Sequence, residues 1–294
     1  MGGARGAVRA LELGARDAMI LRCGRYRLSL ERPVLMGVLN VTPDSFSDAG
    51  RFLARDAALA QAKRMLAEGA AIIDIGGEST RPGAAPVSEE EELERILPVI
   101  EALAGLSVPL SVDTRRPRVM REALAAGASL INDIDALAAP GALETVAASA
   151  CAICLMHKQG EPGTMQREPH YDDVVAEVKA FLAGRIDAAL RAGIARERLV
   201  ADVGFGFGKT VRHNLELQRR FAEFAELGVA LLAGWSRKST LGSLTGRPVG
   251  ERLAASVAAA LLAAQSGARI LRVHDVGPTR DALVVWHAFR TGAP

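Results

Sequence analysis

From residue 34 onward the chain alternates two kinds of hydrophobic pattern. Short apolar runs at 34–39, 71–75, 110–112, 129–131, 152–155, 199–201, 230–233 and 269–273 are separated by longer segments of helical period. The short runs predict strands buried on both faces, and the longer period predicts amphipathic helices. Those helices fall near 55–68, 88–104, 116–126, 141–149, 171–192, 213–226, 249–266 and 278–290. A strand that is always followed by a helix implies parallel neighbours joined by right-handed crossovers. Eight such units in 294 residues suit a closed α/β architecture, the (β/α)8 TIM barrel, better than an open sheet.

Ahead of these units, 21–30 alternates apolar and polar residues around Gly24 and Arg25. That is the pattern of an N-terminal β-hairpin, which could plug the bottom of the barrel. Residues 1–20 match no element and are expected to form a flexible extension, with 21–294 as one barrel domain. The longest apolar run among the first thirty residues, 18–21, is too short for a signal-peptide core, and no stretch approaches a membrane span. Glu12, Asp17 and the lack of serine before Ser29 disfavour an organellar transit peptide.

Composition narrows the partners. Thirty-six Lys and Arg against 34 Asp and Glu leave a net charge of +2, without the basic excess that neutralises nucleic-acid phosphates. A small anionic substrate is compatible with that balance. The three cysteines, Cys23, Cys151 and Cys154, are an odd and sparse set, which argues against a secreted disulfide framework and for the reducing cytoplasm. The interior has to be built from Ala, Leu, Val and Ile, because aromatics make up only 4% of the chain.

In a barrel the functional groups belong at the C-terminal ends of the strands. Each expected strand ends in polar residues: Asn40, then Gly76 to Arg81, Asp113, Asn132, His157, Asp202, Ser236 to Ser239, and finally Arg272 with His274. Residues two apart on a strand share a face, so Ile270, Arg272 and His274 should point one way, as should Met36, Val38 and Asn40. Both series start apolar and finish polar. A face of that kind leaves a packed core and enters a ligand-filled mouth. A helix cap or turn accounts for any single one of these residues about half the time, but not readily for all eight strand ends together.

The wording of these segments carries a resemblance. MGVLNVTPDSFSD at 36–48, GGESTRPG at 76–83, SVDT at 111–114, INDI at 131–134, GFGFGK at 204–209, SRKS at 236–239 and RVHDV at 272–276 resemble, in order, the motifs of the dihydropteroate synthases. The resemblance covers roughly 34–290. It implies an enzyme of folate biosynthesis in which the amine of p-aminobenzoate displaces pyrophosphate from the methylene carbon of a dihydropterin diphosphate. A pterin edge rich in donors suits a carboxylate, and a mixed edge suits an amide. Asp202 and Asn132 fit these roles. The resemblance places Asp113 near another pterin N–H, Lys238 at the ring's acceptor atoms and Met156 on the ring face.

For the leaving pyrophosphate, Arg272 and His274 offer cationic donors on one face. By resemblance Asn40 is the Mg2+ ligand, assisted by Asp48 when its loop closes. The p-aminobenzoate ring would lie near Pro82 and Phe207, flanked by Lys238, with its carboxylate near Ser239 at the start of a short helix. Thr80 and Arg81 belong to the same substrate-binding segment, and the loops that carry Arg81 and Phe46 could close over both substrates. The arylamine is neutral at pH 7 and attacks directly, so no covalent nucleophile is required. The resemblance, with the chemistry of these side chains, implies the catalytic set Asp113, Lys238, Arg272 and His274. A homodimer through late outer helices and sulfonamide sensitivity are also implied.

GFGFGK lacks the spacing of a phosphate-binding loop and fits a pterin-site loop better. The remaining signals are read as structural. Cys151 and Cys154 have redox spacing but should face opposite sides of one strand. The acidic run 89–92 suits the positive end of a helix dipole. Val203 stands where the family has proline, which leaves the aim of Asp202 less fixed, and Trp235 beside SRKS could alter the approach of p-aminobenzoate. Two rivals stay open: a methyltetrahydrofolate-type methyltransferase on a similar pterin-binding barrel, and a pterin-binding paralogue that has lost catalysis.

Overall fold

The computed structural model describes residues 19–41, 50–78, 87–161 and 163–292. An antiparallel hairpin of β1 (Ile20–Cys23) and β2 (Tyr26–Ser29) comes first, with Cys23 opposite Tyr26 and Gly24–Arg25 as the turn. Eight strands then close into a barrel: β3 (Val34–Asn40), β4 (Ala70–Gly76), β5 (Leu110–Asp113), β6 (Leu130–Asp133), β7 (Ala152–Met156), β8 (Leu199–Asp202), β9 (Ala230–Ala233) and β10 (Ile270–Val273). Neighbours are parallel throughout, and β10 pairs with both β9 and β3.

The strands alternate as the period of two requires. Ile270 points into the barrel with Met36, Ile72, Leu130, Ala152, Cys154, Val200 and Leu232, while Leu271 packs outward against the helices. The hairpin joins the interior: Leu21, Cys23 and Leu30 complete the same buried cluster. The Gly24 N–H donates to the Ala150 carbonyl at 2.8 Å, which pins the hairpin turn beside the start of β7. The expected plug is therefore present at the end of the barrel opposite the polar strand ends.

The outer ring contains α1 (Gly50–Ala67), α2 (Glu89–Leu103), α3 (Pro117–Ala126), α4 (Ala142–Ala147), α5 (Val174–Arg191), α6 (Val211–Arg219), α7 (Ser239–Thr245), α8 (Leu253–Gln265) and α9 (Val276–Thr291). The Ser88 hydroxyl caps α2 by accepting from the Glu91 N–H, and Glu89 to Glu92 fill its first turn. The acidic run is thus a helix start, favoured by the dipole.

The structure divides two of the expected helices. Residues 213–226 belong to α6 and then a 3-10 segment, Phe221–Leu227, in which Phe221, Phe224 and Leu227 recur three apart and are all buried. A period of three suits three residues per turn better than 3.6. Residues 249–266 begin as a short 3-10 turn, Val249–Glu251, before α8. There the Arg252 guanidinium donates back to the carbonyls of Arg247 and Arg237. No helix among the described residues is long and apolar enough to cross a membrane.

Candidate active site

At the C-terminal end of the barrel, Asp113, Asn132, Ile134, Met156, Asp202, Gly204, Phe205, Phe207, Gly234, Lys238 and Arg272 line one cavity. Six strands or the loops that follow them contribute, so no single element defines the site.

Arg272, on β10, reaches across the barrel mouth. Its Nε donates to Asp74 Oδ2 at 2.6 Å and its Nη2 to Asp113 Oδ2 at 2.8 Å. Asp74, inside β4, is fully buried and also accepts from Ser111 Oγ at 2.5 Å and Asn132 Nδ2 at 3.4 Å. Burial pushes the Asp113 carboxyl up to about 7, with Arg272 opposing and Asp74 adding to the rise. Burial also raises Asp202, while the Gly204 N–H and the charge of Lys238 oppose it.

The loop after β8 is held from within. Gly204 N–H donates to Asp202 Oδ1 at 2.8 Å, which holds the carboxylate's aim with valine rather than proline at 203. Gly204 has a φ of 67°, and a Cβ there would collide with the His157 carbonyl. That close approach requires glycine. Lys209 is buried beneath the loop, and its ammonium donates to the carbonyls of Gly204 and Phe207, each at 3.0 Å, with His157 Nδ1 at 2.9 Å. Burial lowers Lys209 to about 7 and His157 to about 3, so the imidazole is neutral and accepts.

Lys238 Nζ lies 4.1 Å from the centre of the Phe207 ring, a cation–π contact between the loops after β9 and β8. The preceding Arg237 has a φ of 61°, a left-handed conformation unusual for a side chain with a Cβ. Its guanidinium pairs with Asp275 at 2.7 Å, its N–H donates to Ser256 Oγ at 3.0 Å and its carbonyl accepts from Arg252 at 3.1 Å. These contacts hold the turn that presents Lys238. His274 bonds the same loop: its N–H donates to Ser236 Oγ at 3.2 Å, and its Nδ1 lies 3.0 Å from that oxygen.

The chain matches the family model described as "Pterin binding enzyme" over residues 36–274. It is 53% identical over 262 residues to the dihydropteroate synthase of Haemophilus influenzae, covering 89% of this chain and 95% of that one. The Escherichia coli K12 dihydropteroate synthase is 52% identical, with 89% and 93% covered. The chain belongs to the dihydropteroate synthase family. Among solved structures, the Xanthomonas albilineans synthase with 4-aminobenzoic acid superposes with a TM-score of 0.88 at 54% identity, covering 94% of this chain and 99% of that one. The Burkholderia cenocepacia synthase complexed with 7,8-dihydropteroate gives 0.85 at 52%, with 94% and 98% covered. The Yersinia pestis synthase with a sulfonamide drug complex gives 0.88 at 50%, with 93% and 100% covered.

Of the positions expected from the dihydropteroate synthase motifs, Asp113, Asn132, Met156, Asp202, Phe207, Lys238 and Arg272 share the cavity. His274 is outside the lining, tied to Ser236, and Ser239 is the first residue of α7. Asn40 closes β3, its Oδ1 near Gly76 on β4. Phe46, Asp48, Thr80, Arg81 and Pro82 lie outside the described residues. The redox reading of the cysteines fails as expected: Cys151 packs in the outer layer and Cys154 in the barrel interior, and both are free thiols. Trp235 is buried away from the cavity, stacked on Phe205 at 4.2 Å with its Nε1 donating to Gln218, so it supports the lining from behind.

Sequence reasoning missed Asp74 and gave Lys209 no role. Asp74 stands in the middle of an apolar run, two residues after inward-facing Ile72, and that alternation was its available signal. Lys209 was quoted within GFGFGK without a role, although Phe207 of the same loop was given one.

Proposed function

We propose that the barrel mouth binds a dihydropterin diphosphate against Asp202, Asn132, Met156 and Lys238 and directs its methylene carbon toward the amine of p-aminobenzoate. The chain is an enzyme, a dihydropteroate synthase that makes 7,8-dihydropteroate and releases pyrophosphate. The observation that carries the site assignment is one cavity lined by two carboxylates, Asp202 buried and Asp113 mostly so, with an amide, a lysine and an arginine.

The ordering of these groups gives each a task. Asp202, aimed by Gly204, accepts from the pterin's paired donors, and Asn132 meets the mixed edge. Lys238, held over Phe207, reaches ring acceptors on one side and flanks the p-aminobenzoate ring on the other. As the methylene–oxygen bond lengthens, positive charge spreads into the electron-rich dihydropterin. Asp113 stabilises it from a site already charge-balanced by Arg272. Arg272 has two of its five N–H groups committed to Asp74 and Asp113. The others can meet the departing pyrophosphate, and His274, held at Ser236, is proposed to add a donor from the same strand end. The arylamine nitrogen then forms the new C–N bond and loses its proton to solvent.

Mg2+ fits the donor set in a restricted way. Among the described residues no three His, Cys, Asp or Glu side chains group as a metal cage. Mg2+ commonly takes one or two protein oxygens and completes its shell with water and phosphate. The Asn40 amide oxygen at the end of β3 would hold the ion with the diphosphate, and the bound charge would ease pyrophosphate's departure.

We further propose a cytoplasmic enzyme, given its three buried free thiols. Exposed Leu253 and Leu262 on α8 and Val284, Val285 and Phe289 on α9 support a homodimer through late helices. Sulfonamides would occupy the p-aminobenzoate position, as the Yersinia pestis complex suggests by analogy. A methyltransferase has no need of the SRKS segment or of Arg272 beside His274, and the relatives named above are synthases. The test is stoichiometry. With both substrates present, purified protein should release one pyrophosphate for each dihydropteroate formed. Pyrophosphate release without dihydropteroate under those conditions would overturn the assignment.

A further inference from the structure

Asp74 is a buried charge that the proposed reaction does not use. It sits on β4 two residues before the strand's end, outside the cavity lining, with no exposed surface. A lone carboxylate in that position would be costly, and it is accommodated because its oxygens accept three bonds. The donors are Ser111 Oγ, Asn132 Nδ2 and Arg272 Nε, at 2.5, 3.4 and 2.6 Å. Two of these side chains line the cavity, and they come from β6 and β10 on either side of it.

An ionised carboxylate accepts and cannot donate. It therefore dictates which way the Asn132 amide faces, because the opposite orientation would set the amide oxygen against Asp74. It also fixes the Arg272 plane through Nε, while Asp113 takes Nη2. Asp113 alone would leave the guanidinium a single anchor about which to swing.

We propose that Asp74 is a positioning residue for this reaction, locking the Asn132 amide and the Arg272 guanidinium into one shared geometry from beneath the pterin site. The proposal rests on the roles given above to Asn132 and Arg272. Ser111 is the outer support, holding the oxygen of Asp74 that faces neither of them.

Steady-state kinetics of the full chain, with each substrate varied in turn, tests this in Asp74→Asn and Ser111→Ala. Asparagine keeps the shape and can turn its NH2 toward Ser111, so it removes chiefly the charge. The expected result is a fall of about ten-fold or more in kcat/KM for the pterin diphosphate in Asp74→Asn, with KM for p-aminobenzoate within about two-fold of wild type. Ser111→Ala should change the same parameter in the same direction by about three-fold. Wild-type parameters for both substrates in both variants would overturn the proposal. So would losses that fall equally on the two substrates and follow the folded fraction. If Asp74→Asn does not fold, Ser111→Ala decides by the same split. A wild-type protein that makes no dihydropteroate would instead count against the underlying reaction.

Discussion

Lys209 shows how one buried residue shapes a site that it does not enter. Its ammonium gathers the Gly204 and Phe207 carbonyls and the neutral His157 ring, so the cavity's β8 loop is cross-linked from below. Burial lowers its pKa from 10.5 to about 7. Between those values the unfolded chain holds a proton that the folded chain has released, so stability rises with pH across that window. For His157, lowered from 6.5 to about 3, the same sign applies, and stability falls as pH drops through that lower window. Thermal melts from pH 7 to pH 9 should show a rising contribution that disappears in Lys209→Met; an unchanged slope would remove Lys209 as its source. Asp113 makes a different prediction, about rate. Asp113→Asn should lower kcat by about 100-fold or more while pterin affinity changes by only a few-fold, because its charge matters most when the cation develops. Calorimetric binding beside kcat measures the split, and a proportional loss of both would contradict it.

At the scale of elements, the strand ends were legible because alternation is strict. Asn40, Asp113, Asn132, Asp202 and Arg272 each stand where an inward face reaches the mouth. Asp74 obeys the same rule, two residues after inward-facing Ile72, but its apolar neighbours absorbed it into the run. Phe221–Leu227 was misread as continuing a helix because periods of three and 3.6 diverge little over two turns. Val203 and Trp235 were noted in the sequence, but their consequences depend on contacts the sequence does not display: the Gly204 N–H bond to Asp202 and the stacking on Phe205. The hairpin plug makes its own prediction. Leu30, fully buried in the interior cluster, should cost about 2–5 kcal/mol when cut to alanine. Denaturant unfolding measures that loss, and KM values for the remaining folded enzyme should not move.

For the whole molecule, the barrel separates support from chemistry. Apolar side chains and the hairpin fill one end, while charged groups from many strands meet at the other. Fold and family were readable because eight repeated units carry motifs at their ends in a fixed order. The charge balance between Asp74, Asp113 and Arg272 was not, because it joins residues as many as 198 positions apart. If Asn40 holds Mg2+ with the diphosphate, removing the ion with a chelator should suppress turnover, and added Mg2+ should restore it. In Asn40→Ala, half-saturation should need more Mg2+ by about ten-fold. An unchanged Mg2+ requirement would remove Asn40 as its ligand. The central claim is that the cavity built around Lys238 joins the two substrates. Its most direct test follows labelled p-aminobenzoate into dihydropteroate with the pterin diphosphate and Mg2+ present, comparing wild type with Lys238→Ala. Label should enter dihydropteroate with the wild type and fall to background with the variant while the variant stays folded. Equal incorporation by both proteins would place the chemistry elsewhere and contradict the account.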